Sequence, residues 1–450
     1  MPARLDAAPW RPMHTRIAAA LGVGWMLDAF EVQIIGSVIP SIAAEFDLSK
    51  REQIAVFVVW FVGIMLGALG FGYLADRFGR RRLFVITLVM YSVAAVCTAA
   101  APNYAIFLVF RFLTGLGVGG EYSAVASAIS EFMPARHRGR TNALVMNFWA
   151  LGGILAGLVG IFFISALLGQ EGWRYAMLFG ALAAIYALWA RRFIPESPRW
   201  LASQGRTDEA DAVITQITGL PATQAMLAAQ PSAGMREQLR ELWSKHRGRL
   251  LFGMALDFSE AAGYYGLFTF VAVFVLVPGV VDVGAQTVPY YYVIANVGAL
   301  AGGLLVAWAL DARGRKPTVT LSYTAAAASV MALAAAATTG SPGATLAAFT
   351  LAVFCATCAW VSAYPTFSEL FPTHLRATGI GASVAVGRTG AILGQIVLGE
   401  LALNFGLWTA FGLLAAFWLI GAVAGAIWWA RGIEARGLSL EALATAPQPS

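Results

Sequence analysis

The chain has 450 residues, of which 59% are hydrophobic and only 12% charged, with a mean hydropathy of +0.71. A soluble domain carries roughly 25% charged residues, so this chain lacks the polar surface to coat a water-soluble globule. Its formal charge of +6 and pI near 9.3 do not mark a nucleic-acid binder, because the positive residues sit in short segments between apolar runs.

The first predicted element lies behind a basic start, MPARLDAAPWRPMHTR. Its apolar run contains Asp28 and Glu31, two acids that the core of a cleaved signal peptide does not tolerate, so it reads as a retained helix. A bilayer span needs about 20 apolar residues. Such runs fall at about 17–39, 53–75, 83–101, 105–129, 141–168, 173–194, 249–277, 286–310, 317–338, 344–369, 376–402 and 407–430. The gap at about 195–248 splits these twelve into six and six. The chain is therefore expected to be an all-α membrane protein with twelve transmembrane helices in two pseudo-symmetric halves. Residues 1–194 form the first half, 195–248 a cytoplasmic central loop, 249–432 the second half and 433–450 a cytoplasmic tail. The central loop contains an amphipathic stretch, Asp208–Ile217, and a charged one, Arg236–Arg249, which predict short surface helices. It has too few apolar positions to build the core of a catalytic domain.

With the N-terminus inside, 25 of the 30 Lys and Arg lie in cytoplasmic segments. Arg111 and Arg388 lie within helices, leaving Lys50, Arg51 and Arg174 outside. That bias predicts cytoplasmic termini. The halves also repeat each other. Gly72–Arg81 reads GYLADRFGRR, and DARGRK follows about 235 residues later at Asp311–Lys316. Glu131, Pro134 and Arg138 form an E-x-x-P-x-x-x-R pattern that Glu369, Pro372 and Arg376 repeat 238 residues on. Two motifs at nearly one offset indicate duplication. Cys97, Cys355 and Cys358 all lie in apolar stretches; with no flanking ligand pair, they read as helix-face filler rather than a metal or disulfide site.

An ionisable group at a helix centre costs about 2.5–3.5 kcal/mol on insertion scales, so it faces a cavity or a partner. The intramembrane set is Asp28, Glu31, Arg111, Glu121, Asp257, Glu260 and Arg388. Asp28 and Glu31 are one turn apart, and a carboxyl in a low-dielectric site can take up and release a proton near neutrality. The four histidines all fall in cytoplasmic segments, so Asp28, Glu31 and Glu121 are the proton-coupling candidates. The bland reading makes Asp28 a permanent partner of Arg111 or Arg388. Arg388, among the glycines of GRTGAILG, offers a planar, always-charged donor suited to a carboxylate; alternatively it is a counter-ion for Asp28 or Glu121. Arg111 reads as a structural or coupling partner, with substrate contact as the second possibility. Tyr264, Tyr265, Trp360, Tyr364, Asn147 and Gln33 are candidate pocket contacts, although interfacial aromatic belts explain some of the rings equally well. Asp257 and Glu260 line an inner vestibule or sit in the wet interface; the spacing leaves both open. No metal site, nucleophile–base arrangement or cofactor motif is apparent.

At GYLADRFGRRR the chain resembles the major facilitator superfamily along its whole length. ESPR at Glu196–Arg199, ELFPTHLRATG at Glu369–Gly379 and the tail GIEARGLSLEAL resemble marks of sugar porters and metabolite:proton symporters. Asp28-Ala-Phe30-Glu31, the glycine-rich run Arg111–Gly120 and GRTGAILG are similar to the aromatic-acid, sialate and nicotinate symporters. The seventh helix has DFSEAAGYYG in place of the Q-Q-x-x-G-x-N set of sugar porters, and the fifth lacks the Gly-Pro pair of drug antiporters. The resemblance implies a multi-pass inner-membrane transporter whose halves rock around a midplane site. It assigns a cytoplasmic latch to Asp76, Arg77 and Arg80, with Asp311 and Arg315 as counterparts. Gating extends to Glu131, Arg138, Glu196, Arg199, Glu369 and Arg376. The implied function is proton-coupled uptake of a small carboxylate by a monomer, driven by the proton gradient with no cofactor. A sugar or neutral-solute porter and a non-transporting nutrient receptor are the alternatives.

Overall fold

The computed structural model describes residues 9–78, 80–182, 185–186, 189, 195–219, 235–372 and 375–434. The first half supplies α1 (Pro12–Phe46), α2 (Lys50–Phe78), α3 (Arg80–Ala99), α4 (Tyr104–Phe132) and α5 (Ala135–Gly160). A π-helical stretch, Ile161–Leu168, extends α5, and α6 (Gly172–Leu178) follows. The central segment carries α7 (Pro198–Ser203), α8 (Thr207–Thr218) and α9 (Met235–Lys245). Then come α10 (Arg247–Phe270), α11 (Val288–Arg313), α12 (Arg315–Thr338), α13 (Pro342–Leu370), α14 (Arg376–Phe405) and α15 (Leu407–Arg431).

Among the described residues nine helices are long and apolar enough to cross a bilayer, and Val85–Ala99 and Tyr104–Gly119 are shorter apolar helices. The remaining expected span, at about 173–194, opens as α6 and runs into positions outside the described residues. Helices dominate because a bilayer leaves no water to satisfy backbone groups, and an α-helix satisfies them within one segment. Large apolar side chains such as Val109, Phe162, Leu304 and Val423 are exposed, as expected of a surface that faces hydrocarbon. The central loop forms the short helices its pattern predicts. In α8 the buried face is Ala210, Ile214 and Ile217, a helical period with Asp208 and Glu209 in the first turn.

The chain packs as two compact units. The first comprises Met1–Ile34, Val59–Gly152 and Glu171–Pro231. Its α2–α4 seam is built from small residues. A methyl group at Gly63, Gly67, Gly115 or Gly119 would run into the backbone of the facing helix. That contact explains the spacing of the glycine-rich run after Arg111, since only bare Cα positions allow two backbones so close.

The second unit comprises Ile35–Val58, Gly153–Gln170 and Ser232–Ser450. Within it α10 packs along α14, α11 along α13 and α12 along α15. It also takes in one end each of α1, α2 and α5. Gly36 lies against the Tyr292 ring, Gly160 against Pro289, and Ile54 against Gly399. Lys50 Nζ donates to the Val273 carbonyl at 2.6 Å. Arg51 grips Glu400 through two bonds of 2.8 and 3.0 Å. Farther along, Gly314 takes a φ of +92° at the start of α12. There the Glu434 carboxylate accepts from the backbone N–H groups of Arg315 (3.0 Å) and Lys316 (3.1 Å), which the helix cannot satisfy itself.

Candidate functional site

Each unit contains a buried charged cluster. In the first, α1 and α4 bring Glu31 and Arg111 together. Arg111 Nη1 donates to Glu31 Oε1 at 2.6 Å, and neither side chain is more than 1% exposed. The guanidinium carbon lies 5.6 Å from the Trp60 ring centroid. Two opposite charges taken out of water are tolerable only as such a pair, because either one alone would keep its full desolvation cost. Arg111, one of the two candidate anion contacts, is therefore engaged by an acid of its own unit. Asp28, one turn before Glu31, is fully buried. Gln33 and Asn147 are also buried, and the Asn147 side-chain oxygen accepts no hydrogen bond. The Trp149 ring lies 5.4 Å from that of Trp25, tilted by 50°.

The second cluster is on α10, α13 and α14. Arg388 is 5% exposed, its Nη1 donates to the Tyr265 hydroxyl at 3.3 Å, and its guanidinium carbon lies 5.9 Å from that ring's centroid. Asp257 and Glu260, left open between vestibule and interface by their spacing, are 1% and 4% exposed. They lie in the packed interior, not in a wet interface. The Asp257 carboxylate accepts from Tyr364, and both acids face Arg388. A methyl group at Gly387 would overlap that carboxylate, and one at Gly390 would meet the Phe258 carbonyl at 2.9 Å. The glycines of GRTGAILG thus act as a smooth face that lets α10 lie against α14, setting an acid beside the arginine.

Aromatic rings surround this cluster. Tyr264 lies 5.5 Å from Trp360 and 5.7 Å from Tyr265, between centroids. Tyr292 donates to the Phe268 carbonyl at 2.7 Å and is 1% exposed. Sequence reading missed Gln395 and Tyr323. Gln395 lies two turns beyond Arg388 on α14; it is 3% exposed, and its Nε2 donates to nothing. A seven-residue spacing from Arg388 was the signal that could have found it. Tyr323 donates to the Leu256 carbonyl at 3.0 Å.

Of the gating set, Arg315 Nη1 bonds the Leu310 carbonyl at 3.1 Å, and Glu196 bonds the Ser197 N–H at 3.0 Å. Glu121 and the gating residues Asp76, Arg77, Arg80, Glu131, Arg138, Arg199, Asp311, Glu369 and Arg376 fall outside the described side chains.

Comparison with known proteins agrees with this architecture. Residues 17–446 match the family described as sugar (and other) transporter. The chain is 33% identical to the niacin transporter NiaP of Acinetobacter baylyi, covering 88% of this chain and 89% of that one. It is 30% identical to the putative niacin/nicotinamide transporter NiaP of Bacillus subtilis, over 86% and 88% of the two chains. Its fold is similar to that of the E. coli xylose transporter XylE in a partially occluded inward-open conformation. The TM-score is 0.75 at 20% identity, over 94% of this chain and 99% of that one. With the family match running almost end to end over a nearly all-helical chain, the chain belongs to the sugar (and other) transporter family of the major facilitator superfamily, and is a multi-pass membrane transporter of small molecules rather than an enzyme.

Proposed function

We propose that this transporter performs proton-coupled uptake of a small organic anion, an aromatic carboxylate of about the size of nicotinate, by alternating access. In this reading residues 1–194 and 249–432 are the pseudo-symmetric halves, and both termini are cytoplasmic in an inner membrane. The working unit is a monomer that needs the proton gradient and no cofactor. The observation that carries the reading is Arg388: a permanently charged planar donor, 5% exposed, set among tyrosines and Trp360. A guanidinium there matches a carboxylate through two parallel hydrogen bonds, and aromatic faces suit a flat ring. The names of the relatives support it, niacin being a pyridine carboxylate. Asp28, with Glu31 and Glu121, is the proton-coupling acid on the first-half helices. Glu31 is engaged with Arg111, and in this reading the fully buried Asp28 is the principal carrier.

The test is uptake of labelled nicotinate into liposomes with an imposed acid-outside gradient. Accumulation is expected, with nicotinamide and methyl nicotinate competing at least about tenfold more weakly than the acid, the loss that follows removal of a charge-assisted hydrogen bond. Arg388→Lys should weaken nicotinate binding, because the bidentate fork is lost. If the methyl ester competes as well as the free acid, or a sugar stabilises the protein better than any anion, the carboxylate assignment is wrong.

A further inference from the structure

Asp257 and Glu260 have no part in the mechanism proposed above, yet they are among the most enclosed charges in the chain. They sit one turn apart on one face of α10. Among the described residues of the second unit, several titratable groups face them from the packed elements. Arg388 comes from α14, Tyr364 from α13 and Tyr323 from α12, while Tyr265 of α10 itself lies against Arg388 and Tyr364. From α15 the Trp418 indole lies against Gly263 and carries no charge. Arg249, two turns back on α10, is committed to the Leu370 carbonyl at 2.7 Å. The cations of α9, Arg236, Arg240 and Lys245, are exposed. Among the described residues of the second unit, one guanidinium therefore faces two carboxyls. In addition, Asp257 Oδ1 is buried without a hydrogen-bond partner.

The charge balance of such an enclosure is restrictive. With both acids ionised the cluster carries one net negative charge in an apolar interior, and like charges one turn apart cannot both be held there cheaply. One shared proton makes it neutral. An anion arriving at Arg388 makes the cluster negative again, and a second proton, which the pair has room for, restores neutrality.

We propose that Asp257 and Glu260 form a proton-binding pair that shares Arg388 with the transported anion, so that each anion bound at Arg388 draws one proton onto the pair. This rests on the organic-anion reading above. It adds a proton site in the second unit, separate from Asp28. The two acids titrate as one pair, so either can hold the second proton.

The experiment uses purified full-length protein in nanodiscs, weakly buffered, with a pH-indicator dye and nicotinate as the probe. An Asp28→Asn background removes any contribution from that acid. Asp28→Asn protein should take up about one proton per nicotinate bound, by the linkage between proton and ligand binding. Adding Asp257→Asn or Glu260→Gln alone should leave that uptake near one, because the remaining acid still titrates. Adding both should abolish uptake while nicotinate still binds, with an affinity that no longer changes with pH. Nicotinate binding by the combined variant doubles as proof that it is folded. Unchanged proton uptake in the combined variant, or none in Asp28→Asn alone, overturns the pair and leaves the anion reading standing. If wild-type protein binds nicotinate and other carboxylates at no pH, the anion reading itself fails and takes the pair with it.

Discussion

At the scale of single residues, the arginines of the two buried charged clusters have different surroundings despite similar sequence contexts. Arg111 has a carboxylate at 2.6 Å inside its own unit, whereas Arg388 shares two acids and a ring of tyrosines. Asp28 is the acid to test first. Asp28→Asn should abolish accumulation of substrate against a gradient but retain binding and exchange. The amide keeps the protonated acid's shape and cannot release a proton. Wild-type accumulation by Asp28→Asn in proteoliposomes would remove Asp28 as carrier and pass the role to Glu121 or to the Asp257–Glu260 pair. The acids themselves were legible in the sequence, being rare inside apolar runs. The depth of Asp257 and Glu260 was not. Nearly every position of α10 from Leu256 to Phe270 is buried, so the helix has no polar face to mark which side is wet.

At the scale of elements, runs of about 20 apolar residues located the spans but not their ends. The first run predicted about 17–39, whereas α1 extends over Pro12–Phe46. Helices continue past the hydrocarbon layer into polar segments, and hydropathy does not sense that part. Pro12 suits the first helical turn, where its missing N–H costs nothing. The helix stops at Asp47, which takes a left-handed φ of 52°. The π-helical Ile161–Leu168 had no sequence signal, because its composition is that of any apolar helix. Two contacts at element ends can be tested. Glu434→Ala removes the acceptor for two N–H groups at the start of α12, so it should destabilise that end by about 0.5–2 kcal/mol, read as a lower melting temperature in detergent. Arg51 and Glu400 join one end of α2 to α14. If that end must part during the cycle, Arg51→Cys/Glu400→Cys protein oxidised to a disulfide should lose transport and regain it on reduction. A cross-linked carrier working at the uncross-linked rate would show that these ends stay together throughout. Cys355 and Cys358 are buried, which limits background reaction.

At the scale of the whole molecule, the repeated motifs and the six-plus-six pattern were readable because each is written twice. The compact units follow another logic. Ends of α1, α2 and α5 group with the second-half helices, through contacts such as Gly36 with Tyr292 that link positions far apart in sequence. No periodicity within one helix encodes such a partner. Family membership makes the protein a carrier, and a carrier must exchange solute in both directions. Liposomes loaded with unlabelled nicotinate should therefore take up labelled nicotinate by counterflow even without a proton gradient. A receptor that only binds would give none.

The run from Trp360 through Tyr264 and Tyr265 to Arg388 has an optical consequence. Two ring separations of 5.5 and 5.7 Å and one hydrogen bond of 3.3 Å connect an indole to the guanidinium. A pyridine carboxylate docking on Arg388 would bring an electron-poor ring beside this aromatic cluster, where it should quench the indole's emission. The chain has 14 tryptophans, so the signal is a small difference on a bright background, and Trp360→Phe should cancel it. Occupancy could then be followed by the protein's own light, with no dye attached and in real time.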